Sequence, residues 1–210
     1  MIIVVNSHVS YYKTTIPRVI NALKDCGLND IAIVVGGSKS TYRKIEGPIE
    51  YYFVEYNSFD FTAFICLYEN FFKPDFFYMH DTCNPGLLFG AKLNEKAAHF
   101  DSAKLTSEGS SMNIGLYTRD ILDKNKDFLL SNKFYPKDEK ELQRVKRFVM
   151  CNEDALIKDL PPMCRKKRIP TAATNMYSDT PRIVEYFEEL DLFRYRANWD
   201  EKSKQLTLKL

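Results

Sequence analysis

With 210 residues, 45% of them hydrophobic and 28% charged, the chain has the length and composition of one globular domain with a substantial core. Thirty Lys and Arg against 28 Asp and Glu leave a net charge of +2, too balanced for a general nucleic-acid binder. No apolar run approaches the roughly 20 residues of a membrane span, and five scattered cysteines without a Cys-x-x-Cys pair favour reduced thiols in a cytoplasmic setting over a disulfide framework.

Ile2 to Val5 is an unbroken apolar run, as a strand covered on both faces requires. Ile16, Val19, Ile20 and Leu23 follow at helical spacing, with Thr15 as N-cap, Pro17 in the first turn and Gly27 just past the end. Ile31 to Val35 is a second buried run, ending in Gly36-Gly37-Ser38. Strand, helix, strand in this order predicts a parallel pair with a right-handed crossover, whose ligands bind at the carboxyl ends of the strands. Here those ends are Asn6-Ser7-His8 and Gly37-Ser38, both small and polar. A third strand is expected over Glu50 to Tyr56, then a helix carrying Phe61, Phe64, Ile65 and Tyr68, with Asn57, Ser58 or Asp60 as its cap.

Phe76 to Met79 runs straight into His80, Asp81 and Thr82 at the end of what should be a central strand. A carboxylate on that rigid element can hold Mn²⁺ or Mg²⁺ when a diphosphate supplies further oxygens, and His80 offers a nitrogen that Mn²⁺ tolerates. The bland alternatives are a turn carboxylate and a hydrogen-bonded strand-end histidine. Downstream, "MNIGLYTRDILDKN" suggests a strand passing into a helix, and residues 138 to 150 an amphipathic helix. Glu153-Asp154 precedes an apolar-periodic stretch and reads as a helix N-terminus; the pair is either dipole-stabilised charge or a hold on a sugar hydroxyl. Arg165 to Arg168 reads as a loop, either solvated or folded over a diphosphate. Thr180-Pro181 opens a last expected helix with Ile183, Val184, Phe187 and Leu190 inward, and Trp199 either stacks on a sugar or packs the C-terminal segment. The whole reads as α/β with a mixed, mostly parallel sheet flanked by helices.

The order of these pieces resembles the GT-A glycosyltransferases over about residues 1 to 190. In that family the central strand ends in Asp-x-Asp, which binds the metal and the nucleotide-sugar diphosphate; His80-Asp81-Thr82 lies in its place with a single acid. The resemblance implies a GT-A fold in one domain, with residues 1–82 as nucleotide-binding half, 83–190 as sugar and acceptor half, and 191–210 as an extension compatible with further domains. It implies a UDP-sugar donor and a glycan or glycoprotein acceptor. Asn6, Ser7, His8, Gly37 and Ser38 would hold uridine and ribose, and Asn57 and Asp60 would approach the nucleotide. His80, Asp81 and Thr82 would meet the diphosphate, Asn113 and Arg119 would line the sugar pocket, and Glu153 and Asp154 would face the acceptor, either binding it or serving as catalytic residues. A likeness within the family to virus-encoded transferases that build a capsid glycan implies UDP-L-rhamnose and retention of anomeric configuration. The residues themselves also admit a non-catalytic nucleotide-sugar or glycan-binding module, or a nucleotidyltransferase. Against the last, and against a dinucleotide oxidoreductase, "NSHVSYYKT" after the first strand has no glycine.

Overall fold

The computed structural model describes residues 1–70, 75–175, 178–195, 198–200 and 205–207, with side chains over 1–70, 75–166 and 185–195. The chain runs β1 (Ile2–His8), α1 (Tyr12–Asp25), β2 (Ile31–Gly36), β3 (Tyr42–Glu46), β4 (Ile49–Phe53), α2 (Phe61–Asn70) and β5 (Asp75–His80). It continues through β6 (Cys83–Pro85), α3 (Phe89–Ala97), β7 (Ala103–Thr106), β8 (Gly115–Thr118), α4 (Arg119–Lys124), α5 (Lys126–Ser131) and α6 (Glu139–Cys151). Six strands follow, β9 (Pro162–Cys164), β10 (Lys167–Asn175), β11 (Ser178–Phe187), β12 (Leu192–Arg194), β13 (Asn198–Asp200) and β14 (Gln205–Thr207), the last two paired with each other. None of the described helices is long and apolar enough to cross a membrane.

Eight strands form a mostly parallel mixed sheet in the order β3-β4-β2-β1-β5-β8-β7-β9, an α/β architecture compatible with a Rossmann-like fold. β4, β2, β1 and β5 are mutually parallel, whereas β3 and β8 run against their neighbours. From β1 the chain moves outward to β2 and β4, then returns to lay β5 on the other side of β1. That reversal is a topological switch point, where the crevice of an open α/β sheet binds its ligand. Asn6 and His80 are register partners there. A second, antiparallel sheet, β10-β11-β12-β6, brings the C-terminal segment back beside the end of β5.

Strand alternation explains the two cores. Ile3, Val5, Phe77 and Met79 face one side and pack with Ile16, Val19, Leu23, Phe89 and Leu93 of α1 and α3. Ile2, Val4, Phe76 and Tyr78 face the other and pack with Phe61, Phe64 and Ile65 of α2 and with Val145 and Val149 of α6. Each such residue is buried, and side chains of this size contribute about 1.5–3 kcal/mol apiece on leaving water. Gly27, at φ +84, ends α1 with paired bonds from Gly27 N–H to Lys24 and from Leu28 N–H to Leu23, so its left-handed backbone is required.

Several expectations are corrected. α1 begins at Tyr12, so Thr15 is no N-cap but a buried residue within the helix, and Pro17 lies inside rather than in the first turn. The third strand covers 49–53 and is preceded by β3, a hairpin arm exposed along its whole length whose sequence lacks an apolar alternation. Glu153 and Asp154 do not open a helix. They follow the end of α6 in a run of turns, and Asp154, at φ +67, is incompatible with helical continuation. The basic run is not a free loop, because β10 begins at Lys167. The expected last helix is a strand, β11, paired with β10 and β12. A short apolar stretch satisfies either period, and partners on both sides decide for the strand.

Candidate functional site

The carboxyl end of β1 carries Asn6, and that of β5 carries His80, on the α2 face of the sheet. α2 starts beside them, and Asp60, just ahead of it, points its carboxylate at the imidazole, Oδ1 to Nε2 3.6 Å. Asn6 Nδ2 donates to the Phe59 carbonyl at 3.1 Å, and the Tyr78 hydroxyl donates to the Asp60 carbonyl at 3.1 Å, so the Phe59–Asp60 turn is fastened to both strands. Because β8 is antiparallel to β5, with Gly115 opposite Tyr78, the β7–β8 loop lies at this same end. It delivers Asn113, fully buried, against Asp60.

Four buried polar atoms of this cluster lack a hydrogen-bond partner: Asn6 Oδ1, His80 Nε2, and both Oδ1 and Nδ2 of Asn113. Asn113 therefore neighbours Asp60 and helps hold its carboxyl down, but without reaching bonding geometry. Orphaned buried groups are costly, about 1–3 kcal/mol each, so their concentration at a strand-end crevice points to a ligand that satisfies them. The backbone is strained at the same place. Phe59, Met112, Asn113 and Asp154 all have positive φ, from 49 to 67, a conformation that clusters at functional sites. Burial raises the Asp60 carboxyl above the usual range, with His80, Asn113 and Arg194 partly offsetting it and Asp154 adding to the rise.

Asp81 turns to the opposite face. Its Oδ2 accepts hydrogen bonds from Ser7 Oγ at 2.5 Å and from Thr15 Oγ1 of α1 at 2.7 Å. Arg18 Nη2 donates to the Asp81 carbonyl at 2.9 Å. Burial raises this carboxyl too, against the two hydroxyl donors, and it keeps the nearby Tyr11 phenol protonated, pushed up to about 12 by burial with Asp81 adding. Neighbours on a strand project to opposite sides, so His80 and Asp81 do not form a chelate. Among the described residues no group of three His, Cys, Asp or Glu is arranged to hold a metal. The expected Mn²⁺ or Mg²⁺ on Asp81 with His80 does not fit these donors.

No family model, no curated protein and no solved structure matches this chain.

Asp154 reaches the cluster in an unexpected role. Its Oδ2 accepts from the Ser111 N–H at 2.8 Å and its Oδ1 from the Asn113 N–H at 3.0 Å, clamping the β7–β8 loop. The Tyr117 hydroxyl holds the Asn113 carbonyl from below at 2.5 Å. Glu153 is half-buried beside this clamp. Arg119 lies away from this cluster: it follows Thr118, which pairs with Asp75 at the far end of β5, and it stacks over Tyr68 and donates to the Leu67 carbonyl. His8 and Gly37 form a rim, the ring lying so close that a Cβ on Gly37 would come within 2.5 Å of Nε2. Burial lowers the His8 imidazole. Gly37 and Ser38 donate their N–H groups to Tyr56 and Val54, Asn57 Oδ1 caps the Phe59 N–H, and the Thr82 carbonyl accepts from Tyr195. These four make their contacts through backbone and turn bonds.

Sequence reasoning missed Arg194. This buried guanidinium on β12 ion-pairs with Glu185, donates from Nη1 to the Ser111 carbonyl at 3.4 Å, and supplies positive charge toward Asp60. Lys166 Nζ reaches Glu185 at 3.3 Å with its side chain 7% exposed, so it is a buried partner rather than a mobile phosphate hook. Nothing local marks Arg194, which arrives from 83 residues beyond Ser111. The side chains of Arg168 and Trp199 lie outside the described residues.

Proposed function

We propose that the chain is a glycosyltransferase that binds a UDP-sugar at the β1–β5 switch point and transfers the sugar to a glycan acceptor. The observation that carries this reading is the convergence of Asn6, Asp60, His80 and Asn113, with four unpartnered polar atoms, at the carboxyl ends of parallel strands. Amide, imidazole and carboxylate together offer donors and acceptors without a surplus of positive charge, which suits a hydroxyl-rich ligand. The resemblance to GT-A transferases supplies the donor class, and the mixed, mostly parallel sheet with helices on both faces is compatible with it. In this reading Asp60 and His80 bind donor hydroxyls, Asn113 orients the sugar, and Asp154 acts by holding the loop that presents Asn113. No step is assigned to a metal.

A second reading, a non-catalytic nucleotide-sugar or glycan-binding module, is favoured by one feature: both Asp154 oxygens are already engaged by backbone N–H groups. Calorimetric titration with UDP, ADP and GDP, followed by turnover assays across UDP-sugars, tests both. Selective UDP binding with transfer supports the transferase, and selective binding without transfer supports the module. Failure to bind any of the three nucleotides overturns the transferase and the nucleotide-sugar module and leaves only the glycan-binding form of the second reading.

A further inference from the structure

We propose that Asp81 is a positioning residue that locks the junction of β1, α1 and β5, and that ligand binding in the crevice does not require a divalent cation on Asp81. The inference deepens the transferase reading and rests on it only for its nucleotide arm.

The lock is visible atom by atom. One carboxylate oxygen accepts hydrogen bonds from two hydroxyls, Ser7 Oγ on β1 and Thr15 Oγ1 on α1, at 2.5 and 2.7 Å, in a residue only 6% exposed. The main chain of the same residue is held as well. Its N–H donates to the Asn6 carbonyl at 3.1 Å and its carbonyl accepts from Arg18. A carboxylate that binds a hard cation through phosphate must be directed at the ligand; the Asp81 side chain is instead turned to the α1 face, with Oδ2 held by Ser7 and Thr15, away from the cluster of Asn6, Asp60 and His80. A cation shared with His80 would require one of two adjacent side chains to leave the sheet face on which it is packed.

The consequence reaches the crevice through register. Asn6 and His80 are paired across β1 and β5, and each carries an unpartnered polar atom. Fixing the junction fixes the spacing of those two atoms. Asp81 thus acts through Asn6 and His80.

Three variants separate lock from ligand. Asp81→Asn keeps an acceptor oxygen for both hydroxyls and removes the charge a cation needs. Asp81→Ala removes both, and Thr15→Val removes a donor without touching any metal. Calorimetry with Mn²⁺ alone is expected to give the same result for wild type and Asp81→Asn. UDP affinity is expected to agree within about threefold between excess EDTA and Mn²⁺, and between wild type and Asp81→Asn, while Asp81→Ala and Thr15→Val weaken it by about tenfold through the loosened junction. Mn²⁺ binding lost in Asp81→Asn, or UDP binding abolished by EDTA, would overturn the proposal. Should wild type bind no UDP under either condition, the transferase reading falls alone. The Mn²⁺ titration and the melting temperatures, with Asp81→Ala and Thr15→Val lowered and Asp81→Asn near wild type, then still decide whether Asp81 is a lock.

Discussion

Asp60 Oδ1 and His80 Nε2 face each other across 3.6 Å, close enough to interact electrostatically and too far to share a hydrogen bond. The gap leaves the imidazole nitrogen unpartnered and the carboxylate, with 13% of its side chain exposed, short of solvation. Both are what a ligand hydroxyl placed between them would repair. The arrangement is costly to the fold.

That cost has a pH signature. The folded-state Asp60 carboxyl lies above its ordinary value of 3.8 because burial disfavours its charge. Its favourable, neutral form is present below that ordinary value, and the associated stability is lost as pH rises through the raised value. Asp60→Asn should therefore stabilise the protein at neutral pH by about 1 kcal/mol, roughly 2–4 °C in melting temperature. The gain should close as pH falls toward 3.8. Melting curves of both proteins across pH 3.5–8 check this, and UDP affinity should fall in the same variant. A destabilised Asp60→Asn at pH 7 would assign Asp60 a structural role.

Asn113 combines φ +58 with an amide that bonds to nothing. Asn113→Gly removes both the buried orphans and the backbone strain, while the Asn113 carbonyl and N–H keep their partners. Chemical denaturation should show an increase of about 0.5–1 kcal/mol, with UDP-sugar affinity lowered at least about tenfold. Unchanged affinity would remove Asn113 from the site.

Asp154 and Glu153 should behave differently although they are adjacent. Asp154→Asn leaves one of the Ser111 and Asn113 N–H groups facing another donor, and should cost about 1–3 kcal/mol in denaturation. Glu153→Gln should leave stability within about 0.5 kcal/mol of wild type. Equal and negligible costs would mean that the clamp does not hold the loop.

The Arg194–Glu185 pair supplies the site's buried cation. Burial alone would raise the Glu185 carboxyl, but Arg194 and then Lys166 outweigh it and hold it below 4.5. The stability it contributes is present above that value and is lost as pH falls through the lowered one. Arg194→Met should cost about 3 kcal/mol at pH 7 and progressively less below pH 4.5. A penalty independent of pH would show that lost packing, not the ion pair, is responsible.

Much of the site was legible because strand ends carry their own signal. Unbroken apolar runs at Ile2–Val5 and Ile31–Val35 announce parallel strands, and the polar residues that end them mark the crevice. The divergence of His80 and Asp81 follows from strand alternation, which sends adjacent residues to opposite sides, although the metal site expected from the sequence pairs them as ligands to one ion. What the local sequence could not decide depended on direction and on distant partners. Asn113 enters the site and Arg119 leaves it because β8 runs against β5, and a four-residue strand carries no mark of its direction. Asp154 became a clamp because the backbone N–H groups of Ser111 and Asn113 were there to be satisfied. Arg194 came to Asp60 only when a second sheet folded β12 against β6. The sequence by itself determined where buried strands stop and polar chemistry begins. The tertiary structure decided which of those polar groups face one another, because hydrogen bonds and buried charges are settled between segments that pattern alone cannot pair.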